Sequence, residues 1–183
     1  IKTSGQSLSH QVVLYRTNAQ SRPIEEALLR AGLPYQIIGG VRFYERQEIK
    51  DMLAYLSLVV NPQDGIALQR MINVPPRKIG RTAWEKIRQF FGTEPISVQL
   101  GLARAYEQGE LKVSTKQSIA AFMQLLAKIQ ELGTTLPASG VIQAVIDRVG
   151  YREYLMDGTE EGEERYQNVK ELLTVAKKYD HLV

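Results

Sequence analysis

The stretch QVVLYRTNAQSRPIEEALLRAGLPYQIIGG, residues 11–40, decides the expected fold. Its first five residues form a short β-branched run closed by the polar string Arg16-Thr17-Asn18, the pattern of a buried strand. Ile24, Ala27, Leu28 and Leu29 then supply one apolar helix face, with Pro23 tolerated in the first turn and Gly32 stopping the helix before Pro34. YQII at 35–38 reads as a second strand, ended by Gly39-Gly40. Strand, helix and strand within about thirty residues match a right-handed βαβ unit with parallel strands.

Further along, Ile49, Met52, Leu53, Leu56, Val59 and Val60 recur at helical spacing until Asn61-Pro62 ends the run. After it the strand signals stop. A short helix near 66–72 leads into Val74-Pro75-Pro76, read as an extended connector. Thr82 with Glu85, and Ser114 with Gln117, fit capping boxes that open two more helices. Helical patterns follow at 141–149 and 166–179, with Glu160, Glu161, Glu163 and Glu164 between them as a solvated loop or helix start. The expected class is α/β plus all-α, divided at 1–72 and 73–183.

Composition narrows the chemistry. The 183 residues contain no cysteine, which removes disulfides and thiolate metal sites and fits a reducing, cytoplasmic setting. His10 and His181 lie at opposite ends, against a His-based zinc site or a Ser-His triad. Residues 1–9 lack a signal-peptide pattern, and the apolar run at 53–60 is too short to span a bilayer. The ends show no terminal structure of their own, as in a piece of a longer protein. Lys and Arg outnumber Asp and Glu by 13 to 7 in residues 1–92, but trail by 10 to 13 in 93–183. Positive charge therefore gathers in the first half, where a polyanion would dock; the alternative is an uneven but solvated surface.

No G-x-x-x-x-G-K-[ST] loop and no G-x-G-x-x-G is present, so no catalytic residue, cofactor or metal is expected in this chain itself. Three segments are candidates for binding DNA. The loop 16–22 enters a helix from the carboxyl end of the expected strand, where Arg16, Asn18, Ser21 and Arg22 would meet a phosphate; alternatively it is a polar turn with Asn18 as helix cap. The segment 39–46 interleaves Arg42 and Arg46 with Phe43 and Tyr44 after a glycine pair, a composition suited to single strands. Its other reading packs both rings under the long helix, with Arg46 pairing Asp51 or Glu48. Arg77, Lys78, Gly80, Arg81 and Thr82 form a basic turn delivered into a helix, as in helix-hairpin-helix elements that hold a duplex backbone. Six of the seven charged residues from Arg70 to Arg88 are positive, against the alternative of an ordinary basic loop.

Read in order, VLYRTNAQSRPIEEALLRAGLPYQIIGGVRFYERQEIKDMLAYL at 13–56 and INVPPRKIG at 72–80 resemble the UvrD/PcrA/Rep branch of superfamily 1 helicases. The resemblance implies that 1–72 is part of the second RecA-like motor domain, with its parallel sheet, and that 73–183 is the helical insertion. It implies a parent enzyme that uses ATP and Mg2+ to move 3′ to 5′ on single-stranded DNA and unwind duplex in repair or replication. It assigns Arg16, Asn18, Ser21 and Arg22 to one family motif, Arg42, Phe43 and Arg46 to the next, and 77–82 to a duplex-contacting turn. Regulatory protein partners on the insertion are also implied, and no membrane. Two departures stand out: Lys78 replaces the first glycine of the family's glycine-isoleucine-glycine turn, and 112–116 replaces a second glycine-bearing turn. The alternative is a non-enzymatic helical module of the same ancestry that binds DNA or proteins.

Overall fold

A computed structural model describes residues 7–92 and 96–180. The reading of 1–9 in part, and His181 wholly, lie outside the described residues. Among the described residues nine α-helices run in order: α1 (Ser21–Arg30), α2 (Gln47–Val60), α3 (Gly65–Met71), α4 (Arg81–Arg88), α5 (Val98–Gln108), α6 (Val113–Gly133), α7 (Ala138–Val149), α8 (Tyr151–Leu155) and α9 (Glu160–Ala176). Single 3-10 turns lie at Leu8–His10, Asn18–Gln20, Phe43–Glu45 and Gln89–Phe91.

There is no strand among the described residues, which corrects the expected parallel sheet and the α/β class. Neither β-like segment has regular secondary structure, and among the described residues no backbone hydrogen bond joins them to each other. Val12, Leu14 and Ile38 are 79%, 89% and 82% exposed, so these apolar residues, expected in buried strands, face solvent. β-branched residues favour extended backbone only weakly on their own; a ladder partner and a face to bury make the strand. Between these segments lies an open cleft of about 940 Å3. The helix between them is as expected. Gly32, at φ +61, ends α1, with its N–H donating to Leu29 and the Leu33 N–H to Leu28, the paired bonds of a Schellman stop.

The core is organised around α2. Ile49, Met52, Tyr55 and Leu58 lie on one buried face, which packs against α3, α6, α7 and α9. Ile119, Phe122, Leu126 and Ile129 of α6, Val141, Val145 and Ile146 of α7, and Val169 and Leu172 of α9 complete it. Burying each such side chain contributes roughly 1.5–3 kcal/mol. Leu53 and Val60, assigned to the apolar face from spacing, are 37% and 48% exposed at its margin.

Helix starts differ from the expected boxes. Gly80 and Lys112 are the N-caps of α4 and α6, and neither helix has a side-chain cap. Thr82 and Ser114 already lie inside the helices, where their hydroxyls cannot cap. True caps occur at Asp64, which accepts from the Ala67 N–H at 2.9 Å, at Ser97 before α5, and at Thr159 before α9. The acidic run forms the first turn of α9, where carboxylates favour the helix dipole. The 74–76 connector is a compact bend, because the Asn73 carboxamide oxygen accepts from the N–H of Arg77 and of Ile79.

Candidate nucleic-acid interface

The loop 16–22 is shaped by a capping box in which Thr17 caps the turn, while Gln20 Oε1 accepts from the N–H of Arg16 and Thr17. Asn18 is thus not the cap; its Nδ2 donates to Glu164 at 3.0 Å. Ser21 is buried and donates to Glu25 at 2.8 Å. Arg22 is buried too, pairing Glu26 at 2.5 Å and Glu171 at 2.6 Å. Burial opposes the Arg22 charge, but hydrogen bonds and attraction from Glu171 and Glu26 outweigh it and raise its pKa. Arg16 remains exposed, its side chain without a partner among the described residues.

In the segment 39–46, Arg46 is only 8% exposed. It donates to Asn168 Oδ1 at 2.9 Å, to Ser21 Oγ at 2.7 Å and to the Val41 carbonyl at 3.3 Å. The expected alternative partners are engaged elsewhere: Asp51 accepts from Arg70 and from Tyr151, and Glu48 accepts from Asn168. Desolvation pushes the Asp51 carboxyl above its usual range, against the opposing pull of Tyr151 and Arg70. Phe43 is 1% exposed and meets Tyr44 edge to face, so Tyr44 is the ring open to solvent. Arg42 is exposed, with its guanidinium 5.5 Å from the Tyr35 ring centroid.

The third segment separates one inward arginine from outward cations. Arg77 turns back into the fold, donating to the carbonyls of Met71, Ile72 and Val74 and to the Tyr55 hydroxyl, and lies 5.2 Å from the Phe122 ring centroid. Ile79, 2% exposed, anchors the turn in the core. Lys78 projects outward with φ +62, the left-handed conformation that glycine takes freely and lysine rarely adopts. Gly80, Arg81 and Thr82 are exposed at the start of α4. The first N–H groups of that helix have no intrahelical acceptor, so they present partial positive charge beside Lys78 and Arg81. Among the described residues Arg81 pairs with exposed Glu85 alone, at 3.2 Å.

The sequence-derived residues therefore fall into two sets. Ser21, Arg22, Phe43, Arg46 and Arg77 are bound into the protein, whereas Arg16, Asn18, Arg42, Lys78, Gly80, Arg81 and Thr82 reach the surface. Asn73, which shapes the basic turn, was missed; an asparagine before two prolines was its only sequence signal. Asn168 was missed as well, since its partners lie more than a hundred residues away. Among the described residues no three His, Cys, Asp or Glu side chains converge as metal ligands. No helix among the described residues is long and apolar enough to cross a membrane.

Comparison with known proteins matches residues 1–182 to the UvrD-like helicase C-terminal domain. The chain is 40% identical to the ATP-dependent DNA helicase PcrA of Bacillus subtilis over 182 residues, covering 97% of the chain and 24% of that protein. It is 39% identical to PcrA of Staphylococcus epidermidis and 37% identical to PcrA of Staphylococcus aureus, at the same coverage of each. It thus spans about a quarter of the length of these relatives.

Proposed function

The chain belongs to the UvrD-like helicase C-terminal domain family, and from that premise we propose that it is the DNA-contacting part of an ATP-dependent helicase. The parent translocates 3′ to 5′ on single-stranded DNA and unwinds duplex in repair or replication, in the cytoplasm. ATP cleavage resides in parts of the parent outside this chain. Residues 1–72 belong to the second motor domain and 73–183 to its helical insertion.

The basic turn 78–82 is the observation that carries this reading. Lys78 and Arg81 stand exposed at a helix start, and among the described residues no carboxylate but Glu85 is hydrogen-bonded or ion-paired to the turn. Exposed pairs such as Arg81–Glu85 contribute about 0–1 kcal/mol, so a phosphate can replace Glu85 at little cost. Main-chain N–H groups and the Thr82 hydroxyl complete a contact that senses backbone and not base identity. The loops at 16–22 and 39–46 add a single-strand surface through Arg16, Asn18, Arg42 and Tyr44. Ser21, Arg22, Phe43 and Arg46 support that surface from within, and Arg77 supports the turn.

Titration of the chain against duplexes of unrelated sequence, over a series of salt concentrations, tests the proposal. Expected are equal affinities across sequences and a log K that falls linearly with log salt. Binding that ignores salt, or that depends on one sequence, contradicts it.

A further inference from the structure

Glu164, Asn168 and Glu171 fall at i, i+4 and i+7 on α9, and so form one stripe. Each holds a residue of the two loops: Glu164 holds Asn18, Asn168 holds Arg46, and Glu171 holds Arg22. Asn168 is the buried centre of the stripe, 4% exposed. Its Oδ1 accepts from Arg46 at 2.9 Å, while its Nδ2 donates to Glu48 Oε1 at 2.7 Å. The amide offers the acceptor to the guanidinium and the donor to the carboxylate on two separate atoms of one short side chain.

The constraint passes from Arg46 to the backbone on both sides of Arg42. Arg46 Nε donates to the Val41 carbonyl, and its Nη2 donates to Ser21 Oγ. Ser21 donates to Glu25, and that carboxylate accepts from the Phe43 N–H at 3.3 Å and from the Tyr35 hydroxyl at 3.1 Å. Tyr35 in turn carries the Arg42 guanidinium over its ring. Val41 C=O and Phe43 N–H are therefore both fastened to one buried network that ends on α9.

We infer that Asn168 is a positioning residue that fixes the 39–46 loop in the conformation presenting Arg42 to single-stranded DNA. The inference rests on the proposed DNA contact of that loop. Replacing Asn168 by Asp turns a carboxylate toward Glu48, so the bridge breaks on the Glu48 side. Adding Glu48→Gln returns a donor to that position and restores it.

The test uses the full chain, a single-stranded oligothymidine and two readouts. Hydrogen exchange at the Phe43 amide reports the loop directly. The effect of Arg42→Ala on the salt slope of binding reports presentation, with one phosphate contact contributing about 0.7 to the slope. Expected in Asn168→Asp are faster exchange at Phe43, unchanged exchange in α6, and loss of the Arg42→Ala effect. Both readouts should recover with Glu48→Gln. Where Asn168→Asp does not melt cooperatively, Asn168→Ser, whose shorter side chain gives up the reach to Arg46 and leaves no carboxylate, is read by the Phe43 and Arg42→Ala readouts without the Glu48→Gln arm. An unchanged Phe43 rate, or an Arg42→Ala effect that stays fully additive, overturns the inference. If Phe43 responds and is rescued while Arg42→Ala is silent even beside native Asn168, the loop's positioning by Asn168 is supported and its DNA contact fails.

Discussion

Arg77 Nη2 donates to the Tyr55 hydroxyl at 2.6 Å, and that hydroxyl donates onward to the Val74 carbonyl at 2.7 Å. The pair closes the bend that carries the basic turn, since the same guanidinium collects the carbonyls of 71, 72 and 74. Arg77→Ala should therefore destabilise the fold by roughly 2–4 kcal/mol, because several buried acceptors lose their donor at once. Denaturant unfolding reads the loss. Arg77→Lys should recover only part, as an ammonium cannot span the same fork of acceptors. A loss below about 0.5 kcal/mol for Arg77→Ala would mean that the clamp does not hold the bend.

Burial pushes the Tyr55 phenol up to about 12, against a smaller pull downward from Arg77. The neutral phenol is thus favoured in the fold. Its contribution to stability is present below the ordinary value of 10 and is lost as pH rises through about 12. Unfolding free energy should fall over that window, and Tyr55→Phe should flatten the fall. An identical slope in the variant would show that Tyr55 does not govern it.

Asp64 caps α3, and its carboxyl is held below 3.8, first by the Ala67 N–H and then by the Ser57 hydroxyl. Its stabilisation is present above that value and is lost as pH falls through the lower folded pKa. Asp64→Ala should cost about 1 kcal/mol at neutral pH, and Asp64→Asn much less, because the amide oxygen still accepts. Equal cost for both variants would rule out capping as the source.

Lys78 offers a change whose two effects have opposite signs. With φ at +62, Lys78→Gly relieves left-handed strain and should stabilise the chain by about 0.5–1 kcal/mol after glycine's extra entropy is counted. The same change removes an exposed charge, so duplex affinity should fall and the salt slope should flatten by about 0.9. A thermal melt and an anisotropy titration on one preparation check both signs. Glycine that stabilises without weakening binding would place Lys78 outside the interface.

Sequence pattern carried much of the helical layout and little of the arginines' roles. The long apolar repeat of α2 and the Gly32 stop after α1 are local features, and the structure has both. Residues 11–15 and 35–38 misled because β-branched composition does not reveal whether a ladder partner exists. The α5 helix escaped notice because its buried positions, Val98, Leu102 and Ala105, make only a short stripe. Arg22, Arg42, Arg46, Arg77 and Arg81 look alike in sequence. What separates them is the partner, and the side-chain partners of Arg22 and Arg46 on α9 lie 149 and 122 residues away. No spacing rule reaches that far.

The most direct measurement is the salt dependence of duplex binding by the chain carrying Lys78→Glu and Arg81→Glu together. Both side chains are exposed, so the circular dichroism spectrum should not change. Loss of two phosphate contacts should flatten the log K against log salt slope by about 1.8 and weaken binding on every sequence tested. Affinity and slope equal to those of the unsubstituted chain would show that the turn is a solvated loop, and the proposed grip on duplex DNA would have to be withdrawn.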